Sequence, residues 1–211
     1  MGTARSQCTG GCPLAYGSYL VKENDTLDNI LNLFSPGVKR TDVQQSSGLS
    51  DPNFIDKGSS LMIPFSCECI NGSFLGHNFL YAVQSGDTYE KIAKYYSNLT
   101  SPAWLQATTS VLPTQISDKG NLNVAINCSC GNPEVLLDYG LFLTYPLKAG
   151  DNISGLSSRY NVSRDLLQKY NPNADKLGSG LVFIPVKDNQ NIDNAECSLK
   201  QLQYSCPARK N

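Results

Sequence analysis

The chain has few of the residues on which many catalytic and metal sites depend. Its 211 residues include one histidine and one tryptophan. A serine- or cysteine-based catalytic system with a histidine base would have to use His77. That residue lies in a connector beside cysteines, where a structural role is the simpler interpretation. A glycine-rich phosphate loop is not indicated either, because Gly10 and Gly11 precede no strand–helix unit.

Charge of one sign and long apolar runs are also missing. The formal net charge is −1, so the sequence predicts no basic face for nucleic acid or an anionic membrane. No stretch reaches the roughly 20 apolar residues that cross a bilayer. The first seven residues lack the apolar centre of a secretion signal. We therefore expect a mature chain, or a recloned one to which Met1 was added.

Cysteine, in contrast, is abundant, and the eight cysteines fall into close pairs. Zinc sites usually have C-x2-C spacing or add histidines, whereas this chain has Cys-x-Cys twice. The pattern therefore favours disulfides and an oxidising compartment over a metal site. Spacing alone cannot choose among the 105 possible pairings. The pairs in sequence are Cys8 and Cys12, Cys67 and Cys69, Cys128 and Cys130, Cys197 and Cys206.

Six N-x-S/T sequons support the same compartment. One such triplet arises easily by chance, but six in a chain of this length are typical of a glycosylated extracellular domain. The predicted attachment sites are Asn24, Asn71, Asn98, Asn127, Asn152 and Asn161.

One sequence pattern occurs three times. Each copy opens with a short apolar strand and a turn ending at Asp25, Asp87 or Asp151, spaced 62 and 64 residues apart. Apolar residues at helical spacing follow, and a second apolar strand closes the copy. The pattern predicts three βααβ units. Units of this size bury too little apolar surface to be stable alone, so we expect the cysteine-bearing connectors, 66–80 and 128–140, to hold them together.

The predicted architecture is therefore an α+β fold of three tightly packed βααβ units cross-linked by disulfides. The expected boundaries are a cysteine-containing segment 1–16, a first unit 17–66, a second unit 79–127, a third unit 141–187 and a tail 188–211. The tail is interpreted as a membrane-proximal stalk or an added segment.

Helix signals are placed by the same repeat. The three aspartates are predicted to be N-caps that accept hydrogen bonds from free backbone N–H groups, and Glu90 would complete a capping box with Asp87. Catalytic carboxylates are the alternative, but a glycosidase needs two that converge at roughly 5–10 Å, and the sequence singles out no such pair. Ser163 is predicted to cap a second helix. The helix faces predicted to be buried are Leu27, Ile30, Leu31 and Phe34; Tyr89, Ile92, Ala93 and Tyr96; and Ile153, Leu156 and Tyr160.

This layout resembles the LysM module, and several longer motifs narrow the resemblance. The motifs are Phe74-Leu-Gly-His-Asn-Phe79, Gly86-Asp-Thr-Tyr-Glu90, Tyr95-Tyr-Ser-Asn-Leu-Thr100 and Asp138-Tyr-Gly-Leu-Phe-Leu-Thr-Tyr-Pro-Leu147. Together with the Cys-x3-Cys, Cys-x-Cys, Cys-x-Cys frame they are similar to the ectodomains of plant LysM receptor kinases, in the branch of the chitin-elicitor and Nod-factor receptors. The resemblance covers about residues 8–188.

The resemblance implies a disulfide pattern. Its pairs are Cys8 with Cys69, Cys12 with Cys130 and Cys67 with Cys128, which leaves Cys197 with Cys206.

The resemblance also implies that chitin fragments lie across the second unit, between the loop after its first strand and the loop before its last strand. Such a neutral polymer needs no charge complementarity and no cofactor or metal. Trp104, near this groove, is expected either to line it or to pack inside. The matching positions are Gln84, Ser85, Gly86 and Glu90 on one wall, and Pro102, Leu112, Pro113, Thr114 and Ile116 on the other.

The function implied is a non-catalytic ectodomain on the outer face of the plasma membrane, with a transmembrane segment and a serine/threonine kinase outside this chain. Its expected partners are chitin oligosaccharides and other LysM receptors, in a ligand-promoted homo- or hetero-oligomer, with no role for nucleic acid. Two alternatives stay open: a lipo-chitooligosaccharide receptor of symbiosis, and a secreted chitin-binding protein or hydrolase targeting module. The stretch Ser35–Asp56 is a candidate for ligand selectivity.

Overall fold

The computed structural model describes residues 8, 10–117, 120–130, 141–172 and 180–186. Within these ranges the chain alternates strands with pairs of short helices. The elements are β1 (Cys12–Leu20), α1 (Leu27–Leu33), α2 (Arg40–Ser47), β2 (Ser60–Ile70), β3 (Phe74–Ala82), α3 (Tyr89–Tyr95), α4 (Pro102–Thr108), a 3₁₀ turn (Pro113–Gln115), β4 (Asn121–Asn127), β5 (Leu141–Pro146), α5 (Ile153–Tyr160), α6 (Arg164–Tyr170) and β6 (Leu181–Val186). None of the described helices has the length and apolarity needed to cross a membrane.

One sheet joins all the units, with the strand order β4-β3-β2-β1-β5-β6. Within each unit the two strands pair antiparallel, and the two helices of the unit lie between them in sequence. β1 and β5 are parallel, which attaches the third unit to the first. The predicted α+β fold of three packed βααβ units is therefore confirmed.

The connector between the first two units is a β-hairpin. β2 continues to Ile70, β3 begins at Phe74, and these two residues are paired. Asn71 and Gly72 form the turn with φ of 51° and 64°, which is the Asn-Gly turn best suited to the twist of paired strands. The predicted connector 66–80 is thus mostly strand, and the Asn-Gly signal for it was present in the sequence.

The contact between β1 and β5 depends on a glycine. Gly17 pairs with Thr144 across the two strands. A Cβ at Gly17 would lie 3.2 Å from side-chain atoms of both Phe65 and Leu99. Leu99 belongs to the second unit, so the three units come into close contact around this position.

The first two units share one hydrophobic core. The ring of Phe34, from the first unit, packs edge-on against Tyr19 at 5.9 Å, Phe79 at 5.1 Å and Tyr96 at 5.4 Å between centroids. Such edge-to-face pairs add to the free energy gained from burial. The third unit has a separate cluster around Leu143, Tyr145, Ile153, Leu156, Val162, Leu167, Val182 and Ile184.

The helix faces predicted from spacing point into these cores. Leu31 and Tyr160 are partly buried and pack against the core, whereas the other residues of the predicted stripes are buried. Ser163 caps α6, where its hydroxyl accepts from the backbone N–H of Leu166 at 3.2 Å. That predicted cap is confirmed.

The predicted aspartate caps are wrong by one residue. The N-caps of α1, α3 and α5 are Thr26, Thr88 and Asn152, whose side chains accept from the backbone N–H three residues on at 2.9–3.3 Å. Both residue types can cap a helix, and the residue after the aspartate holds the cap position. The capping box predicted for Asp87 and Glu90 is displaced in the same way.

The three aspartates instead lock the turn between strand and helix. Each carboxylate accepts from a tyrosine hydroxyl near the end of the preceding strand and from the backbone N–H three residues earlier. The tyrosine distances are 3.0 Å for Tyr19–Asp25, 2.7 Å for Tyr81–Asp87 and 2.9 Å for Tyr145–Asp151, and the backbone distances are 2.7–2.9 Å. Burial, followed by the effect of the carboxylate, raises the pKa of each tyrosine above its ordinary value.

Within the described residues, three disulfides connect β1 and the segment before it with β2 and with the segment after β4. They are Cys8–Cys69, Cys12–Cys130 and Cys67–Cys128, with Cα separations of 5.6, 5.5 and 5.9 Å, and they are the pairs that the resemblance implies. The sulfurs of Cys12, Cys67 and Cys130 lie within 4.8 Å of one another, but oxidised sulfur offers a metal no thiolate. Cys197 and Cys206 lie outside the described residues.

We predict that the substitution Asp87→Ala will lower the free energy of unfolding by about 1–3 kcal/mol, because the hydroxyl of Tyr81 and the N–H of Gln84 both lose their acceptor. Urea unfolding with the disulfides intact measures the change. Asp56→Ala is the control, since Asp56 is exposed and its carboxylate is not part of a tyrosine pair. Equal stability of the two variants would contradict the structural role of Asp87.

Candidate functional site

Two loops of the second unit lie side by side at one end of its strand pair. The first loop, 83–88, joins β3 to α3, and the second begins at residue 109 and leads to β4. The backbone N–H of Val83 donates to the carbonyl of Gly120 at 2.8 Å, which extends the ladder of β3 and β4 into the loops. The two loops therefore leave the sheet together, as the predicted groove requires.

The buried side chain of Tyr89 fixes the second loop. Tyr89 begins α3 and is 2% exposed. Its hydroxyl donates to the carbonyl of Val111 at 2.7 Å and contacts the hydroxyl of Thr109, also at 2.7 Å. Because this bridge spans more than twenty residues of sequence, spacing alone did not indicate it.

The first wall of the groove is a tight turn with exposed side chains. Gln84, Ser85, Gly86 and Glu90 are all exposed. Gly86 has φ of 78°, a conformation that favours glycine, and its carbonyl accepts from the ammonium group of Lys91 at 2.7 Å. The turn is therefore held from both sides, since Asp87 also accepts from the N–H of Gln84.

The second wall exposes an apolar side chain next to polar groups. Leu112 is 53% exposed, and the 3₁₀ turn that follows presents Pro113 and Thr114 to solvent. Ile116 is half-buried and packs against the core. An exposed leucine beside hydroxyl and main-chain groups suits a ligand that carries both methyl and amide groups.

The walls carry little charge. Among the predicted groove residues Glu90 is the only acidic or basic one. Hydrogen bonds from its own backbone N–H and from the Thr88 side chain hold the pKa of Glu90 below its usual value. A carboxylate that is held ionised in this way is poorly suited to act as a general acid.

Pro102 and Trp104 lie in the first turn of α4 and line a different cavity. This cavity has a volume of about 510 Å³ and is shared with Pro146 and Leu147 of the third unit. Trp104 also packs edge-on against Phe74, with 4.7 Å between ring centroids. Of the ten predicted groove residues, eight thus lie on or beside the two loops, and the contribution of Pro102 and Trp104 to the groove stays a prediction.

His77 has structural contacts. Its Nδ1 lies 2.9 Å from the carbonyl oxygen and 3.2 Å from the hydroxyl of Ser66, and its ring packs between Phe65 and Phe79 with centroids 5.7 and 4.5 Å away. These contacts fit the structural interpretation of the only histidine in the chain.

Comparison with known proteins identifies the family. Family models described as LysM domain match residues 19–64 and 143–185. Chitin elicitor receptor kinase 1 of Arabidopsis thaliana is 40% identical over 192 residues, which is 87% of this chain and 31% of that protein. LysM domain receptor-like kinase 3 of Medicago truncatula is 38% identical over 191 residues, with the same two coverages.

Solved structures give the same result. The LYK3 ectodomain matches with a TM-score of 0.79 and 37% identity, over 86% of this chain and 93% of that chain. The ectodomain of a receptor like kinase matches with a TM-score of 0.79 and 39% identity, over 86% of this chain and 95% of that chain. The chain belongs to the plant LysM receptor-like kinases and corresponds to their ectodomain. It spans 31% of the length of the two curated relatives named above.

We predict that Tyr89→Phe will loosen the second loop without unfolding the unit. Removal of the hydroxyl takes away the 2.7 Å donor of the Val111 carbonyl and leaves the Thr109 hydroxyl at 3.5 Å, at a cost of about 1 kcal/mol. Hydrogen exchange of residues 109–117 should become faster. Tyr96→Phe is a matched control, because the Tyr96 hydroxyl also donates to a carbonyl, that of Leu33, at 2.7 Å. The same exchange rates for residues 109–117 in both variants would show that Tyr89 does not fix this loop.

Proposed function

We propose that this chain is the extracellular part of a plasma-membrane LysM receptor kinase, and that it binds N-acetylglucosamine oligomers without cleaving them. The observation that carries the proposal is the pair of loops in the second unit. Their bases are fixed by the 2.8 Å bond from Val83 to Gly120 and by the 2.7 Å bond from Tyr89 to Val111. Between these bases the loops present main chain, hydroxyls and the exposed Leu112.

This chemistry matches an N-acetylated sugar polymer. The acetamide groups donate and accept hydrogen bonds, and main-chain N–H and C=O groups can pair with them. Because the loops are already fixed, this pairing costs little loop entropy. The acetyl methyl gains from contact with apolar surface such as Leu112. Since the polymer is neutral, it needs no charged partner, and nine of the ten predicted groove residues are uncharged.

The named relatives support the same ligand class. One similar protein is named a chitin elicitor receptor kinase. This chain spans 31% of that protein, so the kinase and its signalling are part of the proposal. Binding by the other candidate ligand, a lipo-chitooligosaccharide, would require a further contact for the acyl chain.

Binding without hydrolysis is supported by the contacts that the three repeated aspartates make. Asp25, Asp87 and Asp151 each accept from a tyrosine and from a backbone N–H, so each serves the fold of its own unit. A glycosidase instead needs one carboxyl with a raised pKa facing a second one. Incubation with a long chitin oligomer should therefore yield no shorter products.

We predict that Leu112→Ala will weaken binding of a chitin oligomer about five- to tenfold, which corresponds to about 1–1.4 kcal/mol for the loss of apolar contact from a half-exposed side chain. Isothermal titration of the protein with a chitin oligomer measures the change. The fold should be unaffected, because more than half of the Leu112 side chain is already in water.

A matched control for Leu112 exists in the first unit. Phe54 is 78% exposed in the loop between α2 and β2, which corresponds to the loop of Leu112 in the second unit. Phe54→Ala should leave affinity unchanged. If Phe54→Ala weakens binding and Leu112→Ala does not, the ligand lies on the first unit. A parallel titration with an acylated oligomer distinguishes the symbiotic ligand, which would bind more tightly than its unacylated counterpart.

Oligomer length gives a second prediction. A long chitin oligomer has room for two ectodomains, and a bridged pair benefits from a raised local concentration. We expect an octamer to raise the mass seen by light scattering towards that of a dimer, while a tetramer binds without changing the mass. If the two oligomers give the same mass at saturation, ligand bridging is not how copies are brought together.

A further inference from the structure

A cavity separate from the groove lies between the second and third units. The second unit contributes the segment 98–104 and Asn127, and the third contributes Pro146, Leu147, Gly180 and Leu181. Its volume of about 510 Å³ is within the range of small-molecule sites. We refer to it as the interunit cavity.

Two polar atoms of residues that line the interunit cavity are buried without a hydrogen-bond partner. They are the hydroxyl oxygen of Thr100 and the indole nitrogen of Trp104. Thr100 is only 3% exposed. Neither atom has appreciable accessible surface, so the surface that Trp104 offers to the cavity is that of its ring carbons, on which the apolar face of a ligand can pack.

The lining defines the chemistry of such a ligand. None of the described residues that line it is acidic or basic, and they include two carboxamides, two hydroxyls, the indole and several apolar side chains. A neutral molecule with apolar faces and polar edges fits such walls. Sugar rings that carry acetamide groups have this character, and their apolar faces can pack on the indole ring.

A source for such a sugar lies on the rim of the cavity. Asn98 lines it and begins the sequon Asn98-Leu99-Thr100. Asn98 is exposed, whereas Leu99 and Thr100 are buried. The side-chain amide of Asn98 is thus accessible for attachment, while the rest of its sequon is part of the wall. Asn127, also in a sequon, is half-buried beside the cystine of Cys128, and it is the less accessible of the two.

We propose that an N-linked glycan on Asn98 folds back into the interunit cavity, where its first N-acetylglucosamine residues pack on Trp104. In the attachment step, the side-chain nitrogen of Asn98 bonds to C1 of the first sugar and loses one proton. The pyrophosphate lipid of the oligosaccharide donor leaves. The glycan then acts as an internal ligand that joins the second and third units.

The position of the interunit cavity gives such a ligand a structural effect. The three described disulfides involve no residue of the third unit, which is attached through the parallel pairing of β1 with β5 and through a 3.0 Å bond from the Thr144 hydroxyl to the carbonyl of Asn127. A sugar between Trp104 and Leu147 would add a contact at this boundary. Leu112 and its loop are not part of the cavity, whereas Pro102 and Trp104, which line it, are also among the predicted groove residues.

The only tryptophan of the chain reports on the cavity directly. The ectodomain is made in cells that attach only high-mannose glycans, and mass spectrometry of its peptides establishes occupancy at Asn98. Endoglycosidase trimming then leaves a single N-acetylglucosamine at each site. In this trimmed protein we expect the fluorescence of Trp104 to be shielded from quenching by acrylamide. In the Asn98→Gln variant we expect that shielding to be lost, together with a fall of about 2–4 °C in the thermal midpoint.

Asn161→Gln is the matched control. Asn161 is an exposed sequon asparagine with φ of 51°, and Asn98 has φ of 61°, so glutamine meets the same backbone conformation at both positions. Asn161→Gln should leave the quenching unchanged, and its change in thermal midpoint measures the cost of glutamine at a positive φ, which the fall in Asn98→Gln should exceed. Thr100→Ser keeps the sequon of Asn98 and should keep the shielding.

Three results would overturn the proposal. The first is an unmodified Asn98, and the second is equal quenching of Trp104 in the trimmed protein and in Asn98→Gln. The third is a fluorescence response of Trp104 to free N,N′-diacetylchitobiose that is as large in the glycosylated protein as in Asn98→Gln. The last result would make the cavity a site for free oligomers. A response confined to Asn98→Gln would support the proposal, since the free disaccharide would then occupy the place of the missing glycan.

Discussion

The structure depends on covalent links among strands that are too short to form stable domains separately. The three described disulfides join β1 and the segment before it to β2 and to the segment after β4, between cysteines 61, 118 and 61 residues apart. In the chain-entropy model each such link stabilises the folded state by about 4–5 kcal/mol. This constraint lets the first two units share a core around Phe34 and gives the second unit a rigid base.

The rigidity of that base has a direct use in recognition. Loops that bind a neutral sugar cannot rely on charge for affinity, so they must lose little entropy when the ligand docks. Tyr89 and Asp87 achieve this from opposite sides: one holds the loop before β4, and the other holds the turn before α3. The repeated Tyr–Asp pair is present in all three units, whereas the Tyr89 bridge concerns the second unit, where the groove is predicted.

Much of this architecture could be predicted from residue order. The repeat, the buried helix faces and the Ser163 cap follow from local periodicity and capping chemistry, which depend on residues a few positions apart. The aspartate caps were placed one residue early, because Asp87 and Thr88 are both good capping residues and only the tyrosine six residues earlier decides between them. The β2–β3 hairpin was missed even though Asn71-Gly72 indicated it, since the neighbouring cysteines favoured a connector.

The features that could not be predicted from the sequence are those formed by residues from different units. The interunit cavity combines Trp104 with Leu147, and no local pattern relates these two positions. Trp104 packs against Phe74 and lines this cavity, and its predicted contribution to the groove stays a prediction. The sequons, in contrast, were visible as isolated triplets. Only the fold shows which of them borders a cavity.

The central claim is that a neutral sugar binds the second unit through its two fixed loops. Titration of the ¹⁵N-labelled ectodomain with a chitin oligomer, followed by NMR of the backbone amides, tests it most directly. The account predicts that the largest shifts fall in residues 84–90 and 111–116. It would be contradicted if those amides stayed unchanged while the corresponding turns of the other units, at 22–28 and 148–154, shifted instead.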